Sequence, residues 1–205
     1  MAREHTSPGR REQNKLEKRG RIIAAARALF KHKGFEATTT QEIADAAGVA
    51  SGTIFTYARS KEDLVIMVFH DEMLDVIQDA AAKAQAGTVL RDQLIAFFDV
   101  LVDYHERDVA LARTLLRQLG YVSTNDQRCL VSELMRVLLG RLTRLVEAAK
   151  ARGEIFSDQS AFASARAAFA IYYLHLGGMM SGYINRTQFD RALKTDLSLL
   201  MRGLE

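Results

Sequence analysis

The chain has very little of the residues that build disulfide frameworks or break helices. Among its 205 residues there is one cysteine, Cys129, and one proline. A single cysteine cannot form an internal disulfide framework or a cysteine-based zinc site. The scarcity of proline, beside many alanine, leucine and arginine residues, favours helices over sheets. No stretch alternates convincingly between apolar and polar residues, so an all-α protein is predicted.

Motifs of the common enzyme classes are also missing. The sequence has no Gly-x-Ser-x-Gly, no P-loop, no dinucleotide-binding fingerprint and no His-Glu-x-x-His. The histidines lie far apart, and the group of Asp103, His105 and Glu106 is typical of a solvated helix face. We therefore expect no catalytic residue, no cofactor and no metal site. Turnover of a screened compound would instead indicate an enzyme, which is the rival class.

No segment is convincing as a signal sequence or as a membrane span. The N-terminal residues are polar, and a cytoplasmic location is expected. Residues 161–184 carry one charge, Arg166, but many Ala and Gly together with His175. Such a weakly hydrophobic tract predicts a helix that is buried on most sides, not one that crosses a bilayer.

Positive charge is concentrated at the start of the chain. Residues 1–33 hold ten Lys or Arg against three Glu, whereas residues 65–205 hold 16 Lys or Arg against 17 Asp or Glu. Basic residues that neutralise phosphates release counterions and so favour DNA binding. We predict a disordered basic tail over residues 1–14, and charges that are merely solvated are the alternative.

Segment 38–64, TTTQEIADAAGVASGTIFTYARSKEDL, has the spacing of a helix-turn-helix that leads into a third helix. Thr39 and Glu42 form a Thr-x-x-Glu capping box, which predicts a helix from Thr40. Gly48 has no Cβ and suits the left-handed turn that follows. The segment therefore predicts binding to double-stranded DNA.

The other helices follow from apolar spacing and from caps. Ser60 is expected to cap a long helix over 61–84, with Asp63 as its reciprocal partner. In a first helix over 15–33, the residues predicted to point inward are Leu16, Ile22, Ile23, Ala26, Leu29 and Phe30. Later helices are predicted over 89–105, 109–120, 125–151, 159–184 and 187–202.

Four patterns carry a resemblance to a known family: IIAAARALFKHKGFEATTT (22–40), QEIADAAGV (41–49), GTIFTY (52–57) and SKEDL (60–64). Together they resemble the DNA-binding domain of the TetR family of transcriptional regulators, over roughly residues 16–64. Two positions depart from the family pattern. Phe55 replaces a tyrosine whose hydroxyl usually contacts a phosphate, and Ala58 replaces a phenylalanine beneath the recognition helix.

The resemblance implies an all-α protein of about nine helices in two domains. Residues 15–64 would form a three-helix DNA-binding domain, and residues 65–205 a larger helical domain for effector binding and dimerisation. The implied function is that of a ligand-responsive repressor, which binds a palindromic operator as a homodimer and is released by a small hydrophobic molecule. The alternative is a helix-turn-helix DNA-binding protein, architectural or protein-controlled, that responds to no small ligand.

Seven residues are predicted to contact DNA: Thr40, Ser51, Gly52, Thr53, Thr56, Tyr57 and Lys61. Thr40 and Lys61, each in the first turn of a helix, are expected at phosphates, and Gly52 lets the backbone lie close to the duplex. The other four are expected at groove edges, with a core position as the alternative for Tyr57. Because residues 51–58 contain no Arg, Asn or Gln, shape and backbone contacts should contribute much of the specificity.

The resemblance also implies an effector cavity in the larger domain. Its candidate lining residues are Met67, Phe98, Leu101, Tyr104, His105, Met135, Phe169, Tyr173 and His175. This set is apolar and aromatic with a few polar tips, which suits a hydrophobic small molecule. An ordinary core or interface position is the alternative for each residue.

A homodimer built from the last two long helices is a further implication of the resemblance. The predicted interface residues are Tyr172, Gly177, Met180, Leu193, Leu197 and Leu200. Two recognition helices about 34–36 Å apart, one turn of the duplex, would read the halves of a palindrome. Packing within one protomer is the alternative explanation for both apolar stripes.

Overall fold

The computed structural model describes residues 9–120, 125–155 and 158–204. These residues form nine α-helices and no strand: α1 (Arg10–Lys33), α2 (Thr40–Ala47), α3 (Ser51–Tyr57), α4 (Lys61–Ala84), α5 (Leu90–Glu106), α6 (Val109–Gly120), α7 (Asn125–Ala151), α8 (Ala161–Met180) and α9 (Arg186–Arg202). The all-α prediction is confirmed. Within the described part of the chain, no helix has both the length and the apolar character needed to cross a membrane.

Two predicted helix ends lie four or more residues from the observed ones. α1 begins at Arg10 and not at residue 15, because Gly9 supplies an extended N-cap and good helix formers follow it. α8 ends at Met180 and not at residue 184. Gly182 then takes a left-handed φ of 81°, and a capping box between Asn185 and Gln188 starts α9.

The chain divides into two compact units, and the division falls inside α4, between Val68 and Phe69. The first unit contains α1, α2, α3 and the first residues of α4, and the second contains the rest of α4 with α5 to α9. The predicted boundary lay between residues 64 and 65.

The first unit is a small helical core in which α2 packs against both α1 and α3. The Phe35 ring covers this core and lies 5.5 Å from the ring of Phe30, measured between centroids. Leu16, which was predicted to point inward, is 56% exposed because α1 extends beyond the core at its N-terminal end. The buried side chains of the unit include Ile22, Ile23, Ala26, Ile43 and Ile54.

The second unit is a helical bundle in which α8 packs along α7 and α9, and α5 contacts α6, α7, α8 and α9. Aromatic rings fill part of its centre. The ring of Tyr172 is stacked on that of Phe98, with centroids 4.7 Å apart and an angle of 7° between the planes. Phe97 meets Phe98 edge-on, and Phe189 meets Tyr172 in the same way.

One guanidinium joins α9 to α5. Arg186 donates to Asp103 at 2.7 Å and to Glu106 at 2.5 Å, and Asp99 lies 3.5 Å from it. Within α9 it also donates to Asp190 at 2.8 Å. Burial is the main cause that raises the pKa of Asp99, and the nearby Arg186 opposes it.

Candidate nucleic-acid interface

The turn between α2 and α3 has the geometry that the sequence predicts. The hydroxyl of Thr39 accepts the N–H of Glu42 at 3.2 Å, and the Glu42 carboxylate accepts the N–H of Thr39 at 2.9 Å. This confirms the capping box. Gly48 is left-handed, with φ 63° and ψ 42°, and its N–H donates to the carbonyl of Asp45 at 3.1 Å. The chain can therefore reverse within a few residues and begin α3.

The Glu42 carboxylate also fastens α2 to the end of α1. Lys33 Nζ lies 2.5 Å from Glu42 Oε1. This hydrogen bond, followed by those from the N–H and hydroxyl of Thr39, lowers the pKa of Glu42 to about 2. The carboxylate is thus charged throughout the neutral pH range. Both the salt bridge to α1 and the cap on α2 require this charge.

α3 turns one face into the core and the other to solvent. Ile54 is fully buried (0%) and Ala58, which follows the helix, is 3% exposed. Gly52 and Thr56, both predicted DNA contacts, are exposed on the opposite face. The remaining predicted contacts on α2 and α3 are partly exposed: Thr40, Ser51, Thr53 and Tyr57. The buried face thus orients a short polar surface of α3 outward.

Phe55 lies on this outward face and was missed as a contact residue. Its side chain is 55% exposed, beside Thr56. In the family pattern this position carries a tyrosine hydroxyl, which Phe55 lacks. An exposed ring on a recognition helix can instead contact the methyl group of thymine. The available signal was an apolar residue directly after the buried Ile54, where helical spacing turns it outward.

Tyr57 has a partner inside the protein. Its hydroxyl donates to the carbonyl of Lys15 at 3.3 Å, which links the last residue of α3 to the early part of α1. The side chain is only partly exposed. The side chain is therefore neither fully exposed nor buried in the core, and its contact with DNA stays a prediction.

Lys61 is placed differently from the prediction. Its ammonium donates to the carbonyls of Phe35 at 2.7 Å and Glu36 at 3.2 Å, and lies 4.3 Å from the centre of the Phe35 ring. The prediction put this ammonium at a phosphate. In the structure it is held by the connection between α1 and α2, because two carbonyl oxygens and an aromatic face are within its reach.

The cap at the start of α4 differs from the predicted one in one hydrogen bond. The N–H of Asp63 donates to the hydroxyl of Ser60 at 3.3 Å, as expected. The Asp63 carboxylate, however, accepts the N–H of Arg59 at 2.8 Å, one residue earlier than the predicted partner. The carboxylate thus holds the chain between α3 and α4.

The nine predicted effector residues are distributed over both units. Met67 belongs to the first unit, and the other eight belong to the second. Tyr104 and His105 do lie together, with ring centroids 5.3 Å apart. The Tyr104 hydroxyl donates to Glu72 at 2.5 Å, and His105 Nδ1 lies 2.7 Å from the carbonyl of Leu101. Burial lowers the pKa of His105, which favours the neutral imidazole, and the carbonyl accepts from its Nδ1–H.

The remaining candidates lie in other parts of the second unit. Phe98 is fully buried (0%) and stacked on Tyr172, whereas Tyr173 is 41% exposed. His175 Nε2 is 2.8 Å from the Asp196 carboxylate, between α8 and α9. Met135 lines an open groove of about 570 Å³ between α7 and α8. Phe169, partly buried, is near the rings of both Tyr172 and Tyr173.

Four of the six predicted dimer residues are buried inside the protomer, and their part in a dimer stays a prediction. They are Tyr172 (2% exposed), Met180 (3%), Leu193 (1%) and Leu197 (0%). Gly177 and Leu200 are partly exposed. The large apolar side chains that α8 and α9 present to solvent are Phe162, Tyr173, Leu174, which is 70% exposed, and Leu199, which is 58% exposed.

The Tyr172 hydroxyl is buried without a hydrogen-bond partner among the described residues. Burial raises its pKa far above the ordinary value for tyrosine. Among the same residues, no group of three or more His, Cys, Asp or Glu side chains is arranged to hold a metal ion.

Comparison with known proteins points to one family. Residues 22–68 match the family described as "Bacterial regulatory proteins, tetR family". The fatty acid metabolism regulator protein of Bacillus subtilis (strain 168) is 30% identical over 148 residues, which cover 70% of this chain and 73% of that protein. Another relative, the uncharacterised HTH-type transcriptional regulator YerO of the same organism, is 34% identical over 102 residues, and only 35% of its length is covered.

The solved structures share the fold. That of Thermus thermophilus FadR, a TetR-family transcriptional repressor in complex with lauroyl-CoA, has a TM-score of 0.68 and 24% identity. The match covers 91% of this chain and 95% of that one. Each of the relatives named here is described as a regulator or a repressor.

Proposed function

Because this chain belongs to the TetR family of bacterial regulatory proteins, we propose that it binds a palindromic operator as a homodimer and is released by a small hydrophobic effector. As a member of that family it is a transcriptional regulator. Repression, with release when the effector binds, is the mode proposed for it.

The observation that carries this proposal is the orientation of α3. Ile54 and Ala58 fix the helix to its core, and this leaves Gly52, Phe55 and Thr56 directed outward. A helix-turn-helix reads DNA by laying the outer face of its second helix in the major groove. The glycine permits close approach of the backbone, while the ring and the threonine methyl suit thymine.

The same surface favours readout of DNA shape over direct reading of bases. It has no arginine, asparagine or glutamine between residues 51 and 58, so the side chains that bind guanine or adenine through two hydrogen bonds are missing. Specificity would then rest on thymine contacts and on the ease with which the operator deforms. We expect half-sites that contain A·T base pairs and that show a base preference at only a few positions.

Dimerisation through α8 and α9 is supported by the apolar side chains left in solvent. Leu174 and Leu199 are 70% and 58% exposed. The 2.8 Å contact between His175 and Asp196 joins the two helices, one residue after Leu174 and three residues before Leu199 in the sequence. Exposed apolar groups that cluster on neighbouring elements are typical of protein interfaces. A second copy on this face would bury both leucines through the same surface on each protomer.

For the effector we propose an acyl-CoA. Thermus thermophilus FadR is a repressor in complex with lauroyl-CoA, and the Bacillus subtilis relative is named as a regulator of fatty acid metabolism. The second unit is rich in the aromatic and aliphatic side chains that accept an acyl chain, among them Phe98, Leu101 and Phe169. Such a ligand would change DNA affinity only if it bound the free and DNA-bound states with different affinity.

Selection of bound sites from random duplex DNA tests this function. We expect one enriched palindrome, from which lauroyl-CoA releases the protein while free coenzyme A does not. Failure to enrich any site would contradict DNA binding. An enriched site that responds to no acyl-CoA, with no shift of the melting temperature by any compound of a metabolite panel, would favour a regulator without a small ligand.

A further inference from the structure

We propose that the first turns of α1, residues Arg10–Arg21, bind the DNA backbone as a second contact surface outside the helix-turn-helix. We call these residues the α1 basic segment. The inference rests on the proposed function, because it needs a duplex on α3. It assigns a DNA contact to a part of the chain that belongs neither to the capping box of α2 nor to the outward face of α3.

The α1 basic segment has no role in the core of its own unit. Every residue from 10 to 18 is exposed, including Leu16, and the first buried residue of α1 is Ile22. A helical segment that buries no apolar side chain gains little stability from packing. The surface of residues 10–18 is therefore open to another molecule.

The charge of the segment is strongly positive. It contains two acidic residues, Glu12 and Glu17, and six basic residues: Arg10, Arg11, Lys15, Lys18, Arg19 and Arg21. Arg11, Lys15 and Lys18 are spaced i, i+4, i+7 and so share one face of the helix. A row of cations along one helix face is suited to a row of phosphates.

One hydrogen bond and one close approach place the α1 basic segment beside the helix-turn-helix. The hydroxyl of Tyr57, the last residue of α3, donates to the carbonyl of Lys15 at 3.3 Å. The guanidinium of Arg21 lies next to the α2–α3 turn, where its Nη1 is 3.5 Å from the point that a Cβ on Gly48 would occupy. All four of these residues belong to the first unit. A duplex docked on α3 would therefore pass close to this row of cations.

DNA is favoured over an acidic protein partner because of this position. The tie from Tyr57 to Lys15 puts the basic row beside the end of α3. Phosphate contacts of this kind carry no sequence information, but they add affinity and fix the register of the protein on the duplex. They would also add affinity to a recognition helix, α3, that has few side chains able to bind base edges.

The test is the salt dependence of DNA binding by the triple variant Arg11→Gln, Lys15→Gln, Lys18→Gln. Its matched control removes three exposed cations of the second unit: Arg107→Gln, Arg136→Gln, Arg144→Gln. Binding of a selected operator duplex and of mixed-sequence duplex DNA is measured over a range of salt concentrations. The slope of log K against log salt is negative, and each lost phosphate contact reduces its magnitude by about 0.9. We expect a decrease of roughly 2 to 3 per protomer for the triple variant and no change for the control.

A second measurement uses the DNA instead of the protein. Shortening the operator at its flanks is expected to weaken binding of the wild type more than binding of the triple variant, because the variant has already lost the flanking contacts. If the triple variant does not fold, as judged by circular dichroism, the three single variants replace it, each with an expected slope decrease of about 0.9.

The outcomes separate this inference from the proposed function. A wild type that binds operator with the same salt slope as the triple variant would overturn the inference alone, and an acidic partner would then be the remaining candidate for the α1 basic segment. An equal decrease in the control would also overturn it, since net charge would be the cause. A wild type that binds no duplex would overturn the proposed function and the inference together.

Discussion

The Lys61 ammonium lies over the ring of Phe35, 4.3 Å from its centre, and donates to the carbonyl of the same residue at 2.7 Å. A second bond reaches the carbonyl of Glu36 at 3.2 Å. The first residue of α4 is thereby tied to the connection between α1 and α2. A side chain predicted to bind DNA is in this way part of the structure that holds the first unit together.

Lys61→Ala is expected to lower the free energy of unfolding by about 1–2 kcal/mol, because a charge-assisted hydrogen bond and a cation–π contact are lost together. Thermal and urea unfolding measure this. The control is Lys31→Ala, an exposed lysine of the same unit, for which little change is expected. An unchanged stability combined with a weaker salt dependence of DNA binding would contradict the structural role and favour the phosphate contact that the sequence predicts.

Glu42 makes the stability of the first unit sensitive to acid. Its pKa is about 2 in the folded protein, mainly because of the hydrogen bond from Lys33, against 4.5 for a free glutamate. A carboxyl whose pKa is lowered on folding stabilises the protein above the unfolded pKa, and this stabilisation is lost as the pH falls toward the folded one.

The wild type should therefore lose stability between about pH 5 and pH 2 more steeply than Glu42→Gln, which lacks the titrating group. The measurement is the melting temperature as a function of pH. Glu36→Gln, at an exposed neighbouring position, is the control and should follow the wild type. Parallel curves for the wild type and Glu42→Gln would show that protonation of the capping carboxylate does not change the stability of the fold.

Most of the fold could be predicted from the sequence because its signals are local. The capping box of Thr39 with Glu42 and the turn at Gly48 each depend on residues within a few positions of one another. The error at Leu16 has a different cause. Apolar spacing tells which face of a helix a residue occupies, but it does not tell where along the helix the core ends.

Contacts between distant residues could not be predicted in this way. Lys61 finds its carbonyl partners 25 and 26 positions earlier in the chain, and no pattern connects them. The same limit affects α8, which is apolar on nearly all sides. Which of its residues faces outward depends on the rotation of the helix in the bundle, so Tyr172 was assigned to the surface and Leu174 was missed.

Leu174→Glu with Leu199→Glu is expected to convert the proposed dimer into a monomer, since two charges would be placed on the face that a second copy must bury. Sedimentation velocity measures the mass. Val89→Glu, at a position 39% exposed elsewhere in the second unit, should leave the mass unchanged. A dimer that survives both leucine substitutions would exclude this face as the interface, and a wild type that is monomeric at all concentrations would exclude the dimer itself.

Tyr172→Phe is expected to stabilise the protein. The Tyr172 hydroxyl is buried, has no hydrogen-bond partner among the described residues, and leaves its donor unsatisfied. A buried unsatisfied polar group costs about 1–3 kcal/mol, whereas phenylalanine keeps the ring stacked on Phe98. The control is Tyr104→Phe, which removes a hydroxyl that donates to Glu72 at 2.5 Å and should destabilise. Urea unfolding of the two variants should thus give changes of opposite sign. Destabilisation by both would mean that the Tyr172 hydroxyl has a hydrogen-bond partner in solution, and the aromatic centre of the bundle would then contain a polar site.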